Sequence, residues 1–355
     1  MRSVVAMSGG VDSSVAAALT AERAGRESTL GISLRLYSTD EHAVRSGRSC
    51  CAPDDLYDAR RAASAMGIRF YVYDAQERFR SEVIEHFVRS YAQGETPNPC
   101  VRCNDQVKFD WLLARARMLG AAELVTGHYA RVEQDKGGRW RLLRARDAAK
   151  DQSYFLHGLT QKELSFVRFP LGDLTKSQVR ALARERGLPN ADKPESMEVC
   201  FVAGRSVPDF LEAHGVRAAH GEIVHVDGRV LGEHDGIHHF TPGQRHGLGV
   251  SHRLPLYVAS LDAEKQRVVV GSREEVARKS FRALSASWVA EPPPRGAPCE
   301  VQIRHRGRAL PAEVVAAADG SVQVLLNEPA VGVAPGQSAV FYSGEQVLGG
   351  ARIAP

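Results

Sequence analysis

No run of about 18 apolar residues occurs in this 355-residue chain, so a membrane-spanning helix is not expected. A charged leader followed by an apolar stretch is also missing. The chain enters its first apolar segment at once, so no secretory signal is expected and a cytoplasmic location follows. Neither sign of charge dominates: 46 Lys+Arg against 42 Asp+Glu leave +4. Bulk charge therefore does not announce a nucleic-acid binder, and any such role must rest on local patches. Cysteine is scarce. Six in a chain of this length do not make a disulfide scaffold, and point instead to metal binding or catalysis. The single C-x-x-C has no second C-x-x-C to complete a four-cysteine zinc site. Internal repeats and low-complexity tracts are absent. Finally, no G-x-x-x-x-G-K-[ST] string occurs, which excludes a Walker loop and its lysine.

What is present is Ser8-Gly9-Gly10-Val11-Asp12-Ser13-Ser14, between the apolar strand Val4–Met7 and an alanine-rich helix. Glycines without a Cβ let the backbone approach an anion, and the following helix aims free N–H groups and its positive dipole end at the same place. Ser8, Ser13 and Ser14 add hydroxyls. Asp12 cannot bind phosphate, but it is suited to a magnesium ion that bridges phosphates. A bare Gly-Gly turn between strand and helix also occurs without any ligand. The whole S-G-G-x-D-S string is far more specific, and it resembles the loop of the N-type ATP pyrophosphatases, which split ATP between its α- and β-phosphates.

At 43% hydrophobic residues the chain can build two or three cores. Its first half alternates strands (Val4–Met7, Thr29–Tyr37, Ile68–Tyr73, Glu123–Thr126) with helices (Ser13–Ala24, Asp54–Met66, Glu77–Gln93, Gln106–Leu119, Thr175–Arg186). This rhythm predicts an α/β, Rossmann-like parallel sheet with helices on both faces, and ligands at the carboxyl ends of its strands. Glycine-rich short strands follow, and then alternating strands that predict a small β-barrel. The expected division is residues 1–205, a central β-rich domain 206–276, and a C-terminal barrel 277–355.

Cys100 and Cys103 lie in Thr96-Pro97-Asn98-Pro99-Cys100-Val101-Arg102-Cys103, expected to be a stiff loop leading into a helix. The pair fits half a zinc site, a redox pair, or two buried thiols. Cys200 by itself reads as a buried structural thiol. Of adjacent Cys50 and Cys51, one is assigned to a loop role and the other to packing. Cys299 reads as core.

In order along the chain stand SGGVDSS, SCC-x-P-x-D, TPNPC-x-x-CN-x-x-x-KF, TGHYAR, KDQSYFL, ES-x-E-x-CF and PGQSAVFY. This series, covering Met1 to about Arg352, resembles the bacterial and mitochondrial tRNA 2-thiouridylases, PP-loop ATP pyrophosphatases with an adenine-nucleotide alpha-hydrolase-like fold. The resemblance implies ATP along Ala6, Met7, Ser8, Gly9, Gly10, Val11, Asp12 and Ser13, with Leu34 beside the adenine and Gly127 near the nucleotide. It implies Asn98, Pro99 and Cys100 at the target base. It places His128, Lys150, Asp151 and Gln152, and from the barrel Arg304, His305 and Gln337, against tRNA. It makes Cys103 the nucleophile and Cys200 the persulfide carrier, the two able to form a disulfide. An upstream persulfide donor is implied; membrane and DNA are not expected partners.

That chemistry is physically coherent. The uracil C2 oxygen leaves poorly until it carries AMP, after which persulfide or hydrosulfide sulfur can attack C2. The two thiols must then approach, with Cα atoms within about 7 Å, so the segment from Asn190 to Arg205 is expected to move. Arg131, Arg139, Arg141, Arg144, Arg146 and Lys150, and Arg304, Arg306 and Arg308, are candidate phosphate contacts. The chain departs from some relatives, which carry aspartate at the position of Cys100. Cys100, Cys103 and Cys200 thereby make three thiolates able to hold a [4Fe–4S] cluster with one open iron for hydrosulfide. Two rival readings remain: an amidating synthetase on the same fold with a small substrate, and a non-enzymatic tRNA- or metal-binding protein.

Overall fold

The structure, a computed structural model, describes residues 2–37, 53–195, 199–202 and 204–355. Cys50 and Cys51 lie outside them. Two compact units are formed. The first comprises Met1–Ile84, Pro99–Gly204 and Glu345–Val347; the second comprises Glu85–Asn98, Arg205–Gly344 and Leu348–Pro355. Among the described residues no helix is long and apolar enough to cross a membrane.

The first unit is built on strands β1 (Arg2–Ala6), β2 (Thr29–Arg35), β3 (Arg69–Asp74) and β4 (Ala121–Thr126). A hairpin, β5 (Arg131–Gln134) and β6 (Trp140–Leu143), follows, and then the short β7 (Val167–Arg168). The sheet order is β3-β2-β1-β4-β7, and every pairing is parallel. Helices α1 (Val11–Ala24) and α2 (Pro53–Met66) and the helix Lys176–Glu185 share one core with Val5 and Val125. Their neighbours Val4 and Leu124 are equally buried and, by strand alternation, serve the opposite face. Ala16, Ala17, Ala62 and Ala63 belong to this core, and their small side chains let the elements around it lie close. Because β1 sits between β2 and β4, the chain turns opposite ways from its carboxyl end. This is the switch point where doubly wound sheets bind ligands, and Ser8–Ser14 occupies it.

Two expectations need correction. Pro99–Cys103 is already helical, so Cys100 and Cys103 lie on a helical turn and not in a loop. Pro99 supplies the physical reason, since its fixed φ and missing N–H suit a first helical position. The chain then widens into π-helical turns over Asn104–Leu112 before Leu113–Met118. Likewise Gln76–Phe79 is followed by π turns over Arg80–Ile84, with Glu85–Ala92 in the second unit. The β5–β6 hairpin was not foreseen, although Gly137-Gly138 marks its turn. Gln346 and Val347 extend it by pairing with Leu143 and Leu142.

The second unit holds a four-stranded sheet in the order Tyr257–Asp262, Arg267–Gly271, Gly221–His225, Val230–His234, over a core that includes Ile223, Phe240, Val258 and Val268. Six further strands run Arg278–Trp288, Val322–Ala330, Leu310–Ala316, Cys299–Gln302, Ser338–Ser343 and Gln346–Ile353, the last belonging to this unit from Leu348 on. The first and last of these pair, which closes a barrel filled by Val301, Val314, Val324 and Phe341. Cys299 is in this core, and burial pushes its thiol up to about 11.

Candidate nucleotide and thiol site

Ala6 ends β1, and the amide of the buried Met7 continues the ladder to the Ile32 carbonyl at 2.8 Å. The chain then folds over Ser13. The Ser8 amide donates to Ser13 Oγ (3.1 Å), and that hydroxyl donates to the Gly10 carbonyl (3.0 Å). Gly10 is the N-cap of α1 and offers no side-chain acceptor, so no cap side chain occupies the first amides, Val11 and Asp12 among them.

The two glycines do different work. Gly9 has φ +80°, and a Cβ there would strike the Asp55 carbonyl, 2.8 Å from its carbon. Its missing Cβ serves packing on α2. At Gly10 the nearest atom to a Cβ is Ser8 Oγ at 3.5 Å, so this is the glycine whose bare Cα leaves room for an anion. Gly127 resembles Gly9: a Cβ would lie 2.7 Å from the Ser13 amide nitrogen. It lets the end of β4 close on the start of α1.

Four side chains that complete the loop were not singled out from sequence. Asn190, 4% exposed, donates from Nδ2 to the Gly9 carbonyl and to Ser14 Oγ, both at 2.9 Å. Lys193 pairs with Asp55 and Asp58. Tyr129 Oη donates to Asp12 Oδ1 (2.9 Å), and Lys176 Nζ reaches both Asp12 oxygens at 2.7 and 2.8 Å. Lys176 also meets Glu195 (2.7 Å), whose other oxygen takes Lys150 Nζ at 2.6 Å. Burial alone would raise the Glu195 carboxyl, but Lys150 and Lys176 hold it at about 2. Burial, then Asp12, pushes the Tyr129 phenol far above its ordinary value, so it remains a donor. Residues 190–195, expected to be mobile, are therefore anchored. Residues 196–198 and 203 of that segment lie outside the described residues.

Lys150, Asp151 and Gln152 point their side chains into the protein. Asp151 accepts from the Ala145 and Ser153 amides, Ser153 Oγ and Arg144. Gln152 exchanges two bonds with the Tyr129 backbone, at 2.8 and 3.0 Å. His128 is hydrogen-bonded through Nδ1 to Thr126 Oγ1 (2.7 Å) and lies between Phe109 and Phe169. Burial, helped by Lys108, holds it well below its usual value, so it presents a neutral ring. Several expected phosphate contacts are ion-paired: Arg131 with Glu345 and Glu133, Arg141 with Glu133, Arg144 with Asp151, and Arg146 with Asp173.

Cys103 is buried in an apolar cluster with Leu36, Phe79, Val83 and Val107, and Cys200 packs against the same cluster, as does Leu34. Cys100 is exposed and outside it. No disulfide links the described cysteines. Two residues on, burial pushes the Asp105 carboxyl up to about 7, with Arg102 opposing and Glu163 reinforcing. A Cβ on Gly158 would collide with this carboxyl. A raised folded-state value means that the stabilising contribution of the neutral acid is full below about pH 4 and lost as pH rises through about 7. Asp105→Asn is therefore expected to flatten this part of the melting-temperature profile and to be more stable than wild type near pH 8. Parallel profiles for the two proteins between about pH 4 and 8 would refute it.

In the second unit, Thr96 and Asn98 precede Pro99. The Thr96 amide donates to the Pro335 carbonyl (2.8 Å), Gln337 Nε2 donates to the Thr96 carbonyl (2.7 Å), and Arg352 pairs with Glu95 (2.8 Å). Gln337 thus fastens this segment to the barrel. Arg304, Arg306 and Arg308 are exposed on one turn, with His305 half-buried among them.

Three family models match the chain: the tRNA methyl transferase HUP domain over residues 1–204, its PRC-barrel domain over 208–272, and an aminomethyltransferase beta-barrel domain over 278–353. Proteins named tRNA-specific 2-thiouridylase MnmA are close relatives. That of Geobacter metallireducens is 48% identical, covering 99% of this chain and 96% of the relative. That of Geotalea uraniireducens is 46% identical, covering 99% and 94%. Among solved structures, the NMN synthetase of Francisella tularensis aligns with a TM-score of 0.34 and 22% identity over 59% of this chain and 71% of that one. Near-full-length identity of this order, over a loop, thiols and barrel arranged as above, has one reading: the chain belongs to the tRNA-specific 2-thiouridylase family.

Proposed function

We propose that this enzyme uses ATP to convert the wobble uridine of tRNA (U34) to 2-thiouridine. The observation that carries the reading is the grouping of Cys103, Cys200 and Leu34 against one apolar cluster, with Leu34 on β2 and the open Gly10 loop on the adjacent β1. ATP fits the loop because Gly10 leaves room above amides that no side chain caps. Ala6 to Ser13 would hold the phosphates, Leu34 the adenine, and Gly127 the position of α1 beneath them. Magnesium, held by Asp12, would neutralise phosphate charge.

The uracil C2 oxygen attacks the α-phosphorus, the α–β bond breaks, and pyrophosphate leaves. Cys103 thiolate attacks the Cys200 sulfur of a Cys200 persulfide, giving a Cys103–Cys200 disulfide and hydrosulfide. Hydrosulfide adds to C2 and AMP departs with the oxygen. A thiol reductant then restores both cysteines, and a persulfide donor recharges Cys200. The apolar cluster excludes water from this exchange. The [4Fe–4S] alternative would draw on Cys100, Cys103 and Cys200; Cys100 lies three residues before Cys103 on the same helical turn, exposed where Cys103 is buried, and iron and visible-spectrum analysis of anaerobically purified protein decides between it and the relay. No step is assigned to a metal cluster.

Asn98, Pro99 and Cys100 would approach the flipped base, whose unstacking costs a few kcal/mol. The neutral His128 ring suits a base better than a phosphate. The loop of Lys150, Asp151 and Gln152 would meet tRNA through its shape, and Arg304, His305 and Gln337 from the barrel. On this reading residues 1–205 are the catalytic domain, 206–276 the central one and 277–355 the tRNA-contacting barrel. The test incubates the protein with ATP, magnesium and unmodified tRNA, supplying sulfur as persulfide or as sulfide, followed by nucleoside mass spectrometry. Failure to form 2-thiouridine with either source would reject it.

A further inference from the structure

We propose that Lys176 is the phosphate-binding lysine of this loop, supplied from a distant helix, and that Glu195 competes with the nucleotide for it. The inference rests on the ATP reading above and assigns to that site a residue and a control.

Lys176 is the first residue of the helix Lys176–Glu185. A cation in a first turn opposes the helix dipole, so helix stability does not explain it there. Its backbone is nonetheless fixed. Thr175 caps the helix through Gln178, and the Lys176 amide donates to Asp147 at 2.9 Å. Only its flexible stem is available to move, and that stem carries Nζ to Asp12 in the first turn of α1, beside the uncapped amides. The Lys176 side chain is 12% exposed, and its ammonium is shared by two carboxylates, Asp12 and Glu195.

This arrangement is balanced without nucleotide: two carboxylates, Asp12 and Glu195, face two ammoniums, Lys176 and Lys150. A magnesium-bound triphosphate upsets it in one direction. Asp12 turns to the metal, Lys176 turns to the phosphate oxygens, and Glu195 keeps Lys150 alone. Nucleotide binding then breaks the Lys176–Glu195 bridge, five residues before Cys200 in the chain. The lysine that the loop string lacks is restored in space, and its release is linked to the segment that leads to the sulfur carrier.

The sign of one substitution separates competition from simple support. ATP-magnesium affinity is measured by calorimetry on the full chain, without tRNA or sulfur donor, with melting curves as a folding control. Lys176→Met is expected to weaken binding on the order of 100-fold and, in a separate pyrophosphate-release assay with tRNA present, to lower kcat as well as raise KM for ATP. Glu195→Gln keeps the shape, removes the competitor, and is expected to tighten ATP binding roughly 3- to 10-fold. Folded Lys176→Met with wild-type affinity would overturn the assignment. Weaker or unchanged binding by Glu195→Gln would overturn the competition. Wild-type protein that does not bind ATP would instead remove the ATP reading itself.

Discussion

Cys200→Ala is expected to lower 2-thiouridine formation on the order of 1000-fold or more while ATP-dependent pyrophosphate release on tRNA continues. On the proposed mechanism, adenylation would depend on the loop after β1, and sulfur delivery on the thiols that pack in the apolar cluster. Removing a thiol should therefore uncouple the two half-reactions. Cys103→Ala should match it, with one difference: Cys200 persulfide should accumulate, because the thiolate that attacks it is gone. Alkylation followed by peptide mass spectrometry reads this directly. If either variant still thiolates tRNA at a wild-type rate, the two-thiol relay is wrong.

The second large effect is expected from Gly9→Ala. The backbone there has φ +80°, and a Cβ would meet the Asp55 carbonyl in the first turn of α2. Left-handed backbone costs an L-residue about 1–2 kcal/mol, and the collision adds to this because backbone, not a flexible side chain, must move. A total loss above about 2 kcal/mol is expected, with nucleotide affinity falling because the loop cannot keep its course. Gly10→Ala provides the contrast. Its Cβ meets nothing closer than 3.5 Å, so stability should change by less than about 0.5 kcal/mol while ATP binding weakens. Melting temperature and ATP affinity of the two variants decide the matter; equal effects on both measures would mean that the glycines share one role.

The parallel sheet was legible because its signal is local: short apolar strands alternate with helices closed by Gly67 and Gly120. The loop was legible for the same reason. Its supports were not. Asn190 reaches Gly9 from 181 positions away, and Lys176 reaches Asp12 from 164. Neither carries a local mark of its partner, since nothing beside Lys176 at its helix start, or beside Asn190 after Leu188-Pro189, points to a contact so far away in the chain. Gly127 was placed near the nucleotide, and the structure gives it a packing reason: its hydrogen faces the backbone of α1. The helical start at Pro99 was available from proline's preference for a first helical position, but two prolines in four residues suggested a rigid loop instead.

Asn190, Lys193 and Glu195 each grip a different place: the loop backbone, the first two turns of α2, and the lysine pair. Their spacing works as a ruler. One residue inserted between Asn190 and Lys193, or between Lys193 and Glu195, would move at least one grip off its mark, whatever the inserted side chain. The stretch from 190 to 195 is therefore constrained in length before it is constrained in composition. The phosphate loop, which looks self-sufficient in sequence, depends on the length of a segment some 180 residues downstream.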